Sequence, residues 1–133
     1  MRKELTAKLF NEFPEFFKCR ENLRASLMAF GFECDDGWFD LIYKLMKDIK
    51  TVHDTEHEDF YVVQVKEKFA GLRFYITGAS REVLDLIHVA EEESYKTCEK
   101  CAKPGVVRRK GGWYKTLCPE CAGDEWKKVP EWR

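Results

Sequence analysis

The chain has no apolar run of the roughly 18 to 20 residues that a membrane helix needs. Its opening stretch, MRKELTAKLFNEFPEFF, interrupts its apolar residues with charge too often for a secretory signal. These absences lead us to expect a soluble cytoplasmic protein with no membrane partner. Also missing are a glycine-rich phosphate loop, a nucleophile elbow, a clustered Ser/His/Asp signature and any internal repeat. Reaction chemistry therefore has little support, and the expectation is a protein that is not an enzyme. Length is short as well: 133 residues allow one compact domain with a small appendage and no two-domain enzyme.

Apolar material for a core is plentiful. Hydrophobic residues make up 44% of the chain and aromatics 14%, which argues against global disorder despite 35% charged residues. The net charge of −1 conceals an asymmetry. Residues 1–97 carry 14 Lys/Arg against 19 Asp/Glu, whereas residues 98–133 carry 9 against 5. A basic tail on an acidic body fits a module that meets a polyanion, and it fits equally a tail that docks on its own acidic surface.

Six cysteines without a secretory signal argue for metal or structural thiols over a disulfide framework. Cys98 and Cys101 form one C-x2-C and Cys118 and Cys121 another, with 16 residues between the pairs. This is the spacing of a four-thiolate zinc site, because two intervening residues let one tight turn aim both sulfurs at the same ion. A redox dithiol is the alternative that a single pair would leave open. Four thiolates fill the tetrahedron, so the expected cofactor is one structural Zn²⁺ with no coordination position left for catalysis. Cys19 and Cys34 stand alone on apolar-rich segments and read as buried thiols.

Along the chain, Leu5, Leu9, Phe10 and Phe13 predict a helix over 3–13 that Pro14 ends. A second helix is expected over 15–30, with Leu23, Leu27 and Phe30 inward and Gly31 as its stop. A third, over 37–52, is expected to be capped by Asp35 or Asp36 and carries a stripe from Trp38 to Val52. The stretch HDTEHED reads as a solvated loop. His53 and His57 four residues apart form a second metal pair only if that loop is helical. From Phe60 to Thr77 the period becomes two, predicting a hairpin on Ala70-Gly71 in which Lys68 faces Arg73 and Val63, Val65, Phe69, Leu72, Phe74 and Ile76 share one face. Ala70 suits such a turn poorly, because the turn demands positive φ. Opposed like charges make Lys66, Lys68, Arg73 and Tyr75 a candidate anion site, with a solvated sheet face as the bland alternative. Glu67 is the odd carboxylate on the apolar face. A helix over 81–96 follows, capped by Ser80, and then VVRRK-GG-WYKTL, a second hairpin in which Lys110 faces Trp113 and Arg109 faces Tyr114. Cations beside aromatic planes suit base stacking, although Trp113 could instead cover the zinc.

The segments GWFDLI (37–42), VKEKFAGLRFY (65–75), AEEESYKTCEKCAKPG (90–105) and WYKTLCPECA (113–122) together resemble a family of small uncharacterised proteins of bacteriophages, prophages and bacteria. In that family the hairpin turn is usually Gly-Gly and the first knuckle is often C-E-x-C-G, so Ala70 and Ala102 stand where glycines are usual. The resemblance implies a cytoplasmic, mobile-element-related protein with a structural zinc ribbon on Cys98, Cys101, Cys118 and Cys121, and no reaction.

The expected architecture is α+β: helices on a small antiparallel hairpin-based sheet over residues 1–97, and a four-cysteine ribbon and tail over 98–133. The expected ligand is nucleic acid, contacted through Arg108, Arg109, Lys110, Trp113 and Lys115, with Lys66, Lys68, Arg73 and Tyr75 contributing if they lie on the same side. A protein-interaction module gripping a host or defence protein is the second reading. The third is a small-ligand enzyme in a cleft near Glu67, drawing on Arg73, Tyr75, His53 or His57.

Overall fold

The computed structural model describes residues 1–130 and is α+β, as the sequence predicts. Helix α1 (Lys3–Glu12) stops before Pro14, which cannot continue a helical ladder. The helix expected over 15–30 does not form. Short 3-10 turns at Pro14–Phe17 and Met28–Phe30 flank irregular chain instead. Two polar side chains in that segment bond outside a helical ladder. Asn22 Oδ1 accepts from the Arg24 amide, and Ser26 Oγ donates to Val62 O while accepting from the Met28 amide. Without the helix, Leu23, Leu27 and Phe30 face solvent rather than the core, Phe30 at 67% exposure.

A two-residue strand β1 (Phe32–Glu33) and a 3-10 turn at Asp36–Trp38 lead into α2 (Phe39–Val52). The expected aspartate cap is absent, because the Asp36 carboxylate accepts from the Arg2 amide. Helix α2 buries Ile42, Leu45, Met46 and Ile49 against Phe13, Phe16, Phe60 and the sheet, while Val52 at its end is exposed. Edge-on aromatic pairs tie these parts together, Phe16 to Phe60 at 5.4 Å and Phe17 to Phe32 at 5.7 Å.

Strand β2 (Tyr61–Lys68) pairs in parallel with β1 and in antiparallel with β3 (Gly71–Thr77). The register differs from expectation by two residues, so the side chains between the turn and the bulge keep their faces. Lys66 rather than Lys68 opposes Arg73, Val65 opposes Phe74, and a bulge between Val62 and Gln64 turns Val62 into the core and leaves Val63 half-buried. The turn is Phe69-Ala70, both at positive φ (49° and 76°), and Phe69 is exposed. Gly71 lies in the strand instead, under the Tyr95 ring. A Cβ there would lie 2.4 Å from the Tyr95 hydroxyl, so the glycine serves packing and not the turn.

Helix α3 (Arg81–Ser94) begins at Ser80, whose Oγ accepts from the Val83 amide, and roofs the free edge of β3. Ser94 Oγ accepts from the Leu72 amide at 2.9 Å and Glu91 from the Phe74 amide at 3.0 Å, which satisfies an otherwise open strand edge. The second sheet consists of β4 (Val106–Lys110), β5 (Trp113–Leu117) and β6 (Lys127–Lys128), with β4 central and the β4–β5 turn on Gly111-Gly112. Its register is the expected one. A short helix α4 (Pro119–Ala122) follows β5. No helix of the described residues is long and apolar enough to cross a membrane.

Candidate metal centre and ribbon surface

Cys98 and Cys101 lie on the loop that leaves α3, and Cys118 caps α4, with its sulfur 3.4 Å from the Cys121 amide. All four sulfurs lie within 4.8 Å of one another, and those of Cys101 and Cys118 are 3.4 Å apart. Sulfurs at about 2.3 Å from a tetrahedral ion would be separated by about 3.8 Å, so the cluster is preformed to hold one metal ion. Burial works against the Cys98 thiolate, but backbone amides of Cys118, Cys101 and Lys100 bring its thiol down to about 7. Burial and the three neighbouring sulfurs push Cys121 up to about 12. Four sulfurs this close repel one another as thiolates, so a cation among them is what lets all four lose their protons. Outside it, Cys34 is buried, and burial followed by the Glu99 charge pushes its thiol up to about 12.

The first cysteine knuckle is clasped to the body. Trp38 Nε1 donates to Thr97 O at 2.9 Å, the Gly37 amide to Glu99 O at 2.6 Å, and the Asp35 amide to the Glu99 carboxylate at 3.0 Å. A Cβ on Gly37 would sit 2.2 Å from Cys98 O, so only glycine permits this approach. From the ribbon, Thr116 Oγ1 donates to Ala70 O at the hairpin turn. The ribbon therefore packs on the body across the expected 97/98 boundary.

This docking rearranges the expected basic surface. Arg108 is 7% exposed, and its guanidinium donates to Leu117 O and Trp126 O, so it braces the ribbon from within and is not offered to a ligand. Lys115 is likewise withdrawn: its ammonium lies 3.1 Å from the carboxylate of Glu99, which is 1% exposed. Burial costs the Glu99 charge more than Lys115 and the Asp35 amide return, and its carboxyl is raised. Burial also opposes the Lys115 charge, but Glu99, Glu67 and Asp35 outweigh it and its ammonium is held above its ordinary range. Lys110 pairs with Glu125 at 2.9 Å on the surface. Trp126, not Trp113, packs against the cysteine cluster. Trp113 is 76% exposed at the ribbon tip, where a Cβ on Gly111 or Gly112 would meet nothing within 4 Å.

Arg109 remains outward, and the structure adds two cations that sequence reasoning passed over. Strand β6 sets Lys127 beside Arg109 on one rung and Lys128 beside Arg108 on the next. Arg109, Lys127 and Lys128 have no acidic partner among the described residues. The only signal for β6 was a Lys-Lys pair, and two residues carry no readable period.

On the first sheet, Lys66 and Arg73 share a rung, and Arg73 donates to the Tyr95 hydroxyl at 3.2 Å and to Leu72 O. Burial opposes the Arg73 charge, yet Tyr95, Glu91 and Tyr75 hold it raised. The Lys68 ammonium lies 6.0 Å from the Phe69 ring, and Tyr75 is exposed. Tyr95 also lines a cleft of about 460 Å³ with Val107 and Val129, so it stands between this cationic face and the ribbon. Glu67 accepts from the Ala70 amide and holds its own turn. The His53 ring packs 4.8 Å from that of Phe60, His57 Nδ1 accepts from the Asp59 amide, and neither joins a metal-holding cluster among the described residues. No family model, curated protein or solved structure matches the chain.

Proposed function

We propose that the four cysteines hold one structural zinc ion, and that the ribbon it shapes binds nucleic acid without catalysing a reaction. Soft sulfur donors in a tetrahedral cluster favour zinc over harder divalent cations. The observation that carries the binding surface is the rung on which Arg109 stands between Lys127 and Tyr114, with no acidic partner for either cation among the described residues; Trp113 faces solvent from the next rung, on the other face of the ribbon. Cations that contact phosphate and an aromatic plane that accepts a base are the two parts of a single-strand platform. Lys66, Lys68, Arg73 and Tyr75 extend the surface past Tyr95. In the light of the sequence resemblance, the setting is a phage or mobile element acting in a host cytoplasm.

Fluorescence anisotropy with labelled single-stranded DNA, duplex DNA and RNA tests the reading. With about three phosphate contacts on a single strand, affinity should fall about twentyfold between 50 and 200 mM salt. Joint substitution Arg109→Glu and Lys127→Glu should weaken binding and flatten that dependence to about threefold or less, and Trp113→Ala should weaken single-strand binding about tenfold. No binding at 50 mM salt would overturn the proposal. The second reading, a protein-interaction module, is favoured by exposed Leu23, Leu27 and Phe30. A host protein that co-purifies through nuclease treatment and high salt would establish it.

A further inference from the structure

The four cysteines are not equally sheltered. Cys98 and Cys118 are buried and Cys121 is half-buried, whereas Cys101 is exposed. Cys101 opens on a surface groove of about 360 Å³, walled by Arg2, Asp36, Gly37, Asp40 and Lys100. Its sulfur lies 3.4 Å from that of Cys118, which belongs to the other knuckle. Gly37, in the wall of the same groove, donates its amide to Glu99 O in the clasp. One exposed sulfur is thus within reach of a small solute, with a buried partner sulfur close behind it and the clasp on the same loop.

We propose that Cys101 is an oxidation site for hydrogen peroxide, and that its oxidation releases the metal and opens the clasp between knuckle and body. This rests on the zinc reading above. The Cys101 thiolate attacks the peroxide; the O–O bond breaks, a sulfenic acid forms and hydroxide leaves. The Cys118 thiolate then attacks the Cys101 sulfur, forming an S–S bond and expelling a second hydroxide. The two sulfurs together lose two electrons, the peroxide gains them, and two protons from solvent turn both hydroxides into water. The ion, left with two of its four thiolates, is lost to solvent. The 98–103 loop then no longer presents Glu99 rigidly to Gly37 and Asp35.

The experiment treats the full zinc-loaded chain with hydrogen peroxide in the presence of a chromophoric chelator, with peptide mapping and amide exchange in parallel. One zinc should appear for each Cys101–Cys118 disulfide, and exchange at Gly37 and Asp35 should quicken at least tenfold. Core amides of α2 should stay protected, and thiol reductant with zinc should restore the starting state. Cys101→His supplies a fourth ligand without an oxidisable sulfur, and its peroxide-driven zinc release should be at least tenfold slower. A chain that binds no zinc at all would refute the zinc reading, and this inference with it. A chain that binds zinc but keeps it under peroxide, oxidises a different pair, shows unchanged clasp amides, or loses zinc as fast in Cys101→His would overturn this inference alone.

Discussion

Ala102 holds a φ of +72° in the first cysteine knuckle, a conformation that disfavours any residue with a Cβ. The side chain is exposed, so no packing offsets the strain. Ala102→Gly should raise unfolding stability by about 0.5–1 kcal/mol, read from a shift of the urea midpoint at constant slope. Glu99 and Lys115 are the opposite case, a buried pair whose value depends on completeness. Lys115→Met leaves the Glu99 carboxylate buried with only the Asp35 amide, and should cost about 3 kcal/mol. The pH dependence has a definite sign. Because the folded-state pKa of Glu99 is raised, the folded protein takes up that proton before the unfolded chain does. Its contribution to stability is therefore full below the ordinary carboxylate range and is lost as pH rises through the raised value. Glu99→Gln should remove that component from the stability–pH profile. The ligand cysteines were legible because their chemistry is written in spacing alone. Arg108 and Lys115 were misjudged because sequence gives charge without burial, and the groups that occupy them, Leu117 O and Glu99, sit 9 and 16 residues away.

The elements were legible where periodicity was long and turn chemistry orthodox. Helix α2, helix α3 and the Gly111-Gly112 hairpin came out with nearly the expected limits. The first hairpin slipped because Gly71 looks like a turn residue, whereas the Tyr95 ring occupies the space a side chain would need. The irregular 18–27 stretch was hidden for a related reason: Leu23, Leu27 and Phe30 keep helical spacing, but Asn22 and Ser26 spend their hydrogen bonds elsewhere. How α3 covers the edge of β3 was equally invisible, since it depends on Ser94 and Glu91 reaching amides about twenty residues earlier. Ser94→Ala leaves the buried Leu72 amide without its acceptor and should cost about 2 kcal/mol in equilibrium unfolding. Gly37→Ala drives a methyl into the Cys98 carbonyl, and a backbone contact of 2.2 Å cannot be relieved by a rotamer change. That variant should open the clasp, with faster amide exchange at Asp35, yet still bind metal through the four sulfurs.

Across the whole molecule, the acidic body and basic tail are not simply two surfaces in contact. Part of the tail's charge is consumed internally by Glu99 and by backbone carbonyls around Arg108. The remainder, Arg109, Lys127 and Lys128, lies along β4 and β6, with Arg109 and Lys127 sharing one rung. The second sheet's small core consists largely of the cysteines themselves with Leu117, Ala122 and Trp126, too little to hold the ribbon without an ion. Metal removal should therefore loosen the ribbon and the 35–38 segment together, while the aromatic core around Phe13, Phe16 and Phe60 keeps its protection. The most direct test is native mass spectrometry of the full chain purified without added metal, followed by chelation with amide exchange as the readout. The proposed zinc site predicts a mass corresponding to one zinc per chain, and on chelation a joint loss of protection at Gly37, Asp35 and the β4–β5 amides. A metal-free chain with those amides already protected would contradict it.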